Sequence, residues 1–307
     1  MKPDLSVKLG PLVLANPVMT ASGTFGYGSE YENFFDPALL GAVVVKGVAP
    51  KPVHGNPTPR VAEVTGGMLN AIGLQGPGID KFLHDEHYLP WLKAHKCTTI
   101  VNIWGKSVDD YRYVAERLEA EPDGIAALEI NVSCPNVKEG GISFSSDTGA
   151  MGRVIAAVRS ATKLPLITKL SPNVKSMSEF AKAAADNGSD IVSMINTIPA
   201  MAIDIETRRP KIANITGGLS GPAVKPVAVK MVYETARAVD IPIIGMGGIF
   251  SAEDAVEFLL AGASAIAVGT AIFADPMAPV KVLDGISAYL ERHGCKSVNE
   301  IIGQVRV

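Results

Sequence analysis

Eight short apolar runs alternating with amphipathic helical periodicities predict an α/β fold: a (β/α)8 TIM barrel with an N-terminal hairpin and short β insertions over the C-terminal barrel mouth. Three observations carry this expectation. The apolar runs are continuous rather than alternating, as in parallel strands covered on both faces. There are eight of them, and right-handed crossovers between eight parallel strands close a barrel. The chain has 307 residues, of which 47% are hydrophobic, enough for one large core, so residues 1–307 are expected to form a single domain. The alternative is an open doubly wound sheet. Against it, the first strand–helix turn lacks a Gly-x-Gly-x-x-Gly, and Gly245-Met246-Gly247-Gly248-Ile249-Phe250 fails that pattern at its last position.

Taken in order, Leu5 to Leu14 reads as a hairpin turning at Gly10-Pro11, a lid over one end of the fold. The expected strands are Pro17 to Ala21, Ala42 to Lys46, Thr98 to Trp104, Ala126 to Val132, Pro165 to Leu170, Ile191 to Asn196, Ile241 to Met246 and Ala263 to Val268. Ser107 with Asp110 opens a helix carrying Tyr111, Val114, Ala115 and Leu118 on one face, and Met151, Val154, Ile155 and Val158 repeat that spacing. Ser251 with Asp254 opens another helix, closed by Gly262. Two stretches interrupt the alternation: Ala49 to Gly78 and Pro199 to Gly221. Each holds apolar or alternating pieces (Arg60 to Val64, Met68 to Leu74, Ile203 to Ile205, Ile212 to Ile215), so both are expected to form short hairpins over the barrel mouth.

The totals exclude several functions. Lys+Arg 28 against Asp+Glu 31 leaves a net charge of -3 with no basic block, which argues against nucleic acid as a partner. Cys97, Cys134 and Cys295 are odd in number and widely spaced, suiting a reducing cytoplasm, and cannot hold an iron–sulfur cluster, which takes four ligands. The charged N-terminus is unlike a signal peptide and no run reaches the span of a bilayer, so no membrane association is expected and the location expected is cytoplasmic.

In a barrel of this kind the C-terminal strand ends converge on one site. Here they read Thr20-Ala21-Ser22, Lys46-Gly47, Asn102, Asn131 with Cys134, Lys169, Asn196-Thr197, Gly247-Gly248 and Gly269-Thr270. Any strand must end in something polar, yet this set is rich in lysine and asparagine and almost free of Asp, Glu and His. Gly247-Gly248 and Gly269-Thr270, after the last two strands, offer bare backbone N–H groups for a phosphate, although glycines also serve plain turns. Lys46 and Lys169 close apolar strands, where a bound anion would satisfy their charge. The amides of Asn70, Asn102, Asn131, Asn136 and Asn196 can both donate and accept, which suits a flat ring carrying carbonyls and N–H groups. No metal is expected, for want of carboxylate and histidine ligands.

A phosphate-anchored ring beside a lysine suggests FMN, with PLP as the competing phosphate cofactor. The chemistry is expected just past the fourth strand, where Ser133-Cys134-Pro135-Asn136 breaks the run and leads into Lys138-Glu139-Gly140-Gly141. Pro135 cannot donate to a sheet ladder, so Cys134 stands beyond the strand end on a polar loop. A free cysteine is more often an inert small hydrophobe, but two asparagines and a serine nearby make a poor core. A cysteine-protease arrangement lacks its histidine, since His54, His84, His87, His95 and His293 all lie away from strand ends.

Several segments together resemble the dihydroorotate dehydrogenases over essentially the whole chain, most closely the class 1 type B catalytic subunit. They are Ala21-Ser22-Gly23-Thr24-Phe25-Gly26, Asn56-Pro57-Thr58-Pro59-Arg60-Val61-Ala62-Glu63, Met68-Leu69-Asn70-Ala71-Ile72-Gly73-Leu74-Gln75, Asn131-Val132-Ser133-Cys134-Pro135-Asn136, Lys169-Leu170-Ser171-Pro172-Asn173, Ile195-Asn196-Thr197 and Ala213-Asn214-Ile215-Thr216-Gly217-Gly218-Leu219-Ser220-Gly221-Pro222. The resemblance implies an FMN-bearing barrel that oxidises dihydroorotate to orotate in pyrimidine biosynthesis. It implies that Cys134 takes the proton from C5 while a hydride passes from C6 to N5 of FMN. It further implies that Lys46, Asn70, Ala71, Ile72, Gly73, Leu74, Asn131, Asn136, Asn196 and Thr197 hold the substrate. FMN would be held by Ser22, Lys46, Gly47, Asn102, Asn131, Lys169, Ile195, Gly221, Gly247, Gly248, Gly269 and Thr270.

The subfamily follows from Cys134, because the membrane-bound quinone-using class has serine as base and an extra N-terminal segment. The fumarate-using type A of class 1 differs around the Asn70 and Asn196 loops. Type B implies a partner subunit carrying FAD and a [2Fe–2S] cluster that passes electrons to NAD+, in a heterotetramer of two catalytic and two reductase chains built on a homodimer of catalytic chains. Three rivals remain: a dihydropyrimidine dehydrogenase-like barrel, disfavoured by Lys46 and the Gly73-Leu74 backbone where a carboxylate would sit, a Schiff-base lyase using Lys169, and a non-enzymatic binding barrel, against which Cys134 on a polar, glycine-hinged loop argues.

Overall fold

The computed structural model describes residues 2–132, 138–139 and 142–306. Eight parallel strands form its centre: β1 (Val18–Thr20), β2 (Val43–Val44), β3 (Thr99–Ile103), β4 (Ile125–Asn131), β5 (Leu166–Lys169), β6 (Ile191–Met194), β7 (Ile243–Met246) and β8 (Ala265–Val268). All eight expected strands are present; seven are shorter than their apolar runs because the ends of the runs serve as turns and mouth residues, and β4 keeps the expected length but begins and ends one residue earlier. The order in the sheet is β1-β8-β7-β6-β5-β4-β3-β2. The ends then meet: Met19 bridges Ala42 in parallel, Gly41 N–H donates to Val18 O at 2.8 Å, and Val44 N–H donates to Thr20 Oγ1 at 2.9 Å. These contacts close the barrel and remove the open-sheet alternative.

Helices α1 (Ile79–His84) and α2 (Leu89–Ala94) follow β2, and single helices follow the next five strands: α3 (Val108–Ala120), α4 (Thr148–Ala161), α5 (Met177–Asp186), α6 (Lys225–Ala236) and α7 (Ala252–Ala261). α8 (Ala271–Ala274) and α9 (Ala278–His293) complete the outer layer. Sequence caps set the helix ends. The Ser107 hydroxyl accepts from the Asp110 N–H, Ser251 and Asp254 form a reciprocal capping box, and Gly262 closes α7 with φ 118°. The buried faces are the expected ones, with Tyr111, Val114, Ala115 and Leu118 on α3 and Met151, Val154, Ile155 and Val158 on α4. Burying each large apolar side chain contributes about 1.5–3 kcal/mol, and this ring of contacts fixes the helices on the strands.

The N-terminal hairpin pairs Val7–Leu9 with Leu12–Leu14. Gly10 abuts the Asp190 carbonyl just before β6, so the hairpin covers the N-terminal end of the barrel and leaves the other end open. The two insertions combine into one structure that the sequence alone does not show. Ile198–Ala200, Gly217–Ser220, Gly67–Asn70 and Val61–Val64 form a four-stranded antiparallel sheet in that order. Ile212 to Ile215, expected in a hairpin strand, is a turn, and the strand begins at Gly217. The reason is spatial: a Cβ on Gly218 would lie 2.0 Å from Thr197 Oγ1, so only the glycine-containing segment can approach β6's exit closely enough to pair. Ile203–Asp204 and Arg209–Pro210 make a separate small hairpin. No helix among the described residues is long and apolar enough to cross a membrane.

Candidate active site

A cavity of about 500 Å³ opens at the C-terminal mouth, between the barrel strands and the four-stranded insertion sheet. Ser22, Lys46, Gly47, Asn102, Asn131, Lys169, Ile195, Asn196, Thr197, Gly247, Gly248, Gly269 and Thr270 line it from the barrel side, and Asn70, Ala71, Ile72, Gly73 and Leu74 from the insertion. Gly221 does not reach the cavity. Its carbonyl stands behind Gly248, where an added Cβ would meet it at 2.8 Å. Cys134 and Asn136 lie outside the described residues.

The floor is a polar cluster on β3 to β6. Glu129 is 2% exposed; its Oε1 accepts from Asn102 Nδ2 at 2.6 Å, its Oε2 accepts from Ser193 Oγ at 2.8 Å, and Lys169 Nζ lies 3.9 Å from Oε1. Lys169 Nζ also donates to Ser22 Oγ at 3.1 Å, tying β5 to the end of β1. Lys169 therefore already has a buried carboxylate beside it, where the sequence suggested a bound anion to satisfy its charge. That expectation rests on the last residue of each strand. Glu129 stands two residues before Asn131 on β4, and the period of two puts both on the barrel's inner face. A glutamate inside the apolar run Ala126 to Val132 was the available signal.

Lys46 differs from Lys169. Its ammonium has no hydrogen-bond or ion-pair partner among the described residues; burial chiefly, and the Arg60 guanidinium next, hold its pKa below the usual 10.5, with Glu30 opposing them. Arg60 itself was not singled out as a site residue. It lines the cavity from the insertion, where its Nη2 donates to Gln75 Oε1 at 2.5 Å. Two cations thus face the same space from β2 and from the insertion, and an anionic ligand between them would relieve both.

The anion end is backbone. Gly247 and Gly248 have φ 124° and 80°, and Cβ atoms there would meet Ala228 Cβ at 3.1 Å and Lys225 Cβ at 2.8 Å. This tight path brings bare backbone to the cavity wall beside Gly269-Thr270, where backbone N–H groups suit an anion. The nearby Lys225 is already occupied, donating to Asp254 Oδ1 at 2.7 Å and Glu257 Oε1 at 2.6 Å, and these bonds raise its pKa.

Three side chains hold the mouth in shape. Asn70 Nδ2 donates to Gly218 O at 3.4 Å across 148 residues of sequence, and Asn56 Nδ2 donates to Ala71 O at 2.9 Å. On the other side, Tyr111 of α3, fully buried, donates its hydroxyl to the Asn131 carbonyl at 2.8 Å, anchoring the end of β4 where the chain leaves for Cys134. Tyr111→Phe is expected to cost about 1–3 kcal/mol by removing a donor from a buried carbonyl. Chemical denaturation checks this, and an unchanged midpoint would show that the bond is not holding the strand.

All five histidines are exposed and none lines the cavity. Among the described residues no cluster of three His, Cys, Asp or Glu is placed to hold a metal.

A closed parallel barrel, with polar and charged side chains gathered at its C-terminal mouth and bare glycine backbone after β7 and β8, has the layout of a barrel enzyme. Comparison with known proteins gives the particular family. The family model described as dihydroorotate dehydrogenase matches residues 4–290. The chain is 52% identical over 302 residues to "Dihydroorotate dehydrogenase B (NAD(+)), catalytic subunit" of Geotalea uraniireducens, covering 98% of each chain. It is 54% identical over 304 residues to the protein of the same name from Bacteroides fragilis, covering 99% of each. Its fold is similar to that of an Eimeria tenella dihydroorotate dehydrogenase solved in complex with ferulenol, with a TM-score of 0.80, 26% identity, and coverage of 98% of this chain and 88% of that one. The chain belongs to the dihydroorotate dehydrogenase family.

Proposed function

We propose that the mouth cavity holds FMN and dihydroorotate together, and that this chain is the catalytic subunit of an NAD-linked dihydroorotate dehydrogenase. The chain is an oxidoreductase of pyrimidine biosynthesis that converts dihydroorotate to orotate. The observation that carries the FMN reading is the donor set. The buried Asn102 Oδ1 has no partner among the described residues, and the Gly247-Gly248 backbone is too tightly packed for a side chain yet lines the cavity. An acceptor for a ring N–H and a cradle for a phosphate are what FMN requires. Ser22, Lys46, Gly47, Asn102, Asn131, Lys169, Ile195, Gly247, Gly248, Gly269 and Thr270 would hold it, with Gly221 shaping the phosphate turn from behind. When bound, FMN supplies the acceptor for the substrate hydride.

The chain's own residues supply the rest. Cys134 removes the C5 proton of dihydroorotate, a thiolate acting as general base. Lys46 and the Gly73-Leu74 backbone receive the substrate carboxylate, and Asn70, Ala71, Ile72, Asn131, Asn136, Asn196 and Thr197 orient the pyrimidine ring. Lys169 would place positive charge where a bound flavin takes up electrons.

Electrons must then leave. The chain has three cysteines, too few for a cluster, and no dinucleotide fingerprint. Together with the relatives' designation as catalytic subunits of a NAD(+) enzyme, this supports a partner subunit carrying FAD and [2Fe–2S], in a heterotetramer built on a catalytic homodimer. Co-expression with a reductase subunit checks this; a catalytic homodimer that never takes up the partner would refute it.

The deciding experiment is anaerobic addition of dihydroorotate to the purified, flavin-loaded chain while the visible flavin band is followed. Bleaching is expected. A yellow protein that stays yellow would remove dihydroorotate as substrate, and a colourless one that cannot be loaded with FMN would remove the cofactor.

Lys46 gives a pH prediction. Its lowered pKa means that the free protein loses this ammonium below the range of an ordinary lysine. A carboxylate needs the charged form, so KM for dihydroorotate should rise with pH on the alkaline side, beginning below 10.5. Lys46→Arg, always charged, should abolish that rise. A KM independent of pH up to that range would remove Lys46 from the carboxylate site.

A further inference from the structure

We propose that Glu129 is a positioning residue of the flavin site: it fixes the orientation of Asn102, offsets the charge of Lys169, and so sets how strongly the cavity favours reduced over oxidised flavin. This rests on the proposal that the cavity holds FMN.

Glu129 does not line the cavity, but two of the residues it touches do: Asn102, bound at 2.6 Å, and Lys169, 3.9 Å away. The third, Ser193, donates from the far side at 2.8 Å and is fully buried. One carboxylate on β4 thereby joins side chains from β3, β5 and β6. A carboxylate removed from water carries a large desolvation cost, and an apolar replacement of a buried ion pair is often neutral or stabilising. Barrel stability alone gives little reason for the group. Its position directly beneath two ligand-facing side chains gives a better one.

The effect on Asn102 follows from hydrogen-bond chemistry. Because Nδ2 is engaged by Glu129, rotating the carboxamide would set two acceptor oxygens against each other. Oδ1 is therefore held as the group without a protein partner, an acceptor awaiting a ligand N–H.

The effect on Lys169 is electrostatic. Two-electron reduction of the flavin with uptake of one proton leaves one additional negative charge on the ring, which the Lys169 ammonium attracts. A carboxylate within 4 Å of the same ammonium opposes that attraction in a water-poor setting. Glu129 thus keeps the reduced state from being over-stabilised, so that electrons can leave for the next acceptor.

Glu129→Gln separates charge from shape, since a glutamine can still accept from Asn102 and donate to Ser193. The midpoint potential of the bound flavin, read by equilibration with a reference dye, is expected to rise. The affinity for reduced relative to oxidised FMN should rise with it by about tenfold or more, with the oxidised flavin still bound. Glu129→Asp keeps a negative charge but, one methylene shorter, draws it back from both Asn102 and Lys169, and should loosen FMN while raising the potential less than the glutamine variant does; it also serves if the glutamine variant does not fold. A merely structural Glu129 would change the melting temperature of either variant and leave the potential in place, overturning the proposal. An equal shift in both variants would overturn the charge argument. Failure of the unmodified chain to bind FMN at all would instead refute the cofactor reading and this inference with it.

Discussion

Cys134→Ala is expected to slow reduction of the bound flavin by dihydroorotate by roughly 10²–10⁴-fold, the usual worth of a positioned general base. The flavin spectrum and FMN content should be unchanged, because the thiol is not among the groups assigned to hold the cofactor. The rate is to be measured in a single anaerobic turnover by stopped flow, so that partner-dependent reoxidation does not enter. The expectation derives from a local pattern: a strand that ends at Asn131, anchored from behind by Tyr111, and, in the sequence, a proline one residue after the cysteine, which cannot donate to a sheet ladder. No histidine lines the cavity to replace the thiol, and Glu129 is engaged by three neighbours beneath the floor. A variant that reduces its flavin at the parent rate would show that another group takes the proton.

Gly248→Ala should weaken FMN binding by roughly 100-fold. The residue has φ 80°, and an L side chain in the left-handed region costs about 1–2 kcal/mol. The added Cβ would also lie 2.8 Å from Gly221 O and 2.9 Å from Lys225 N, both backbone atoms at the approach to α6, so relief requires moving the loop that presents the N–H groups. Losing one such hydrogen bond adds about 1 kcal/mol, and the sum approaches the two factors of ten stated. Titration of the flavin-free protein with FMN, followed by quenching of flavin fluorescence, measures it. Thermal unfolding of the flavin-free protein separates this from a general loss of fold. If the alanine variant binds FMN as the parent does, the phosphate is not held by this turn.

Much of the framework was legible in the sequence because it is local. Continuous apolar runs marked all eight strands, since a strand covered on both faces cannot carry alternating polarity. Ser107, Ser251 and Gly262 marked helix ends because capping joins residues three or four apart. Of the candidate residues within the described chain, every one except Gly221 lines the cavity; those at strand ends do so because strand ends in a barrel converge wherever the intervening helices lie, and Asn70 to Leu74 reach it from the insertion.

Other features depended on residues distant in sequence and only the tertiary structure decided them. The two insertions read as separate hairpins, yet Asn70 and Gly218 pair across 148 residues, a register set by the closeness of two strand exits that no local signal encodes. Lys46 and Lys169 looked alike as lysines closing apolar strands. The fold set Lys169 beside Glu129 and left Lys46 facing Arg60, so one is compensated within the protein and the other faces a second cation. The sequence by itself determined which side chains reach the mouth of the barrel. Which of them are already paired there, and which are left for a ligand, was decided by packing of β3 through β6 around one buried carboxylate, because electrostatic compensation depends on distance in space rather than along the chain.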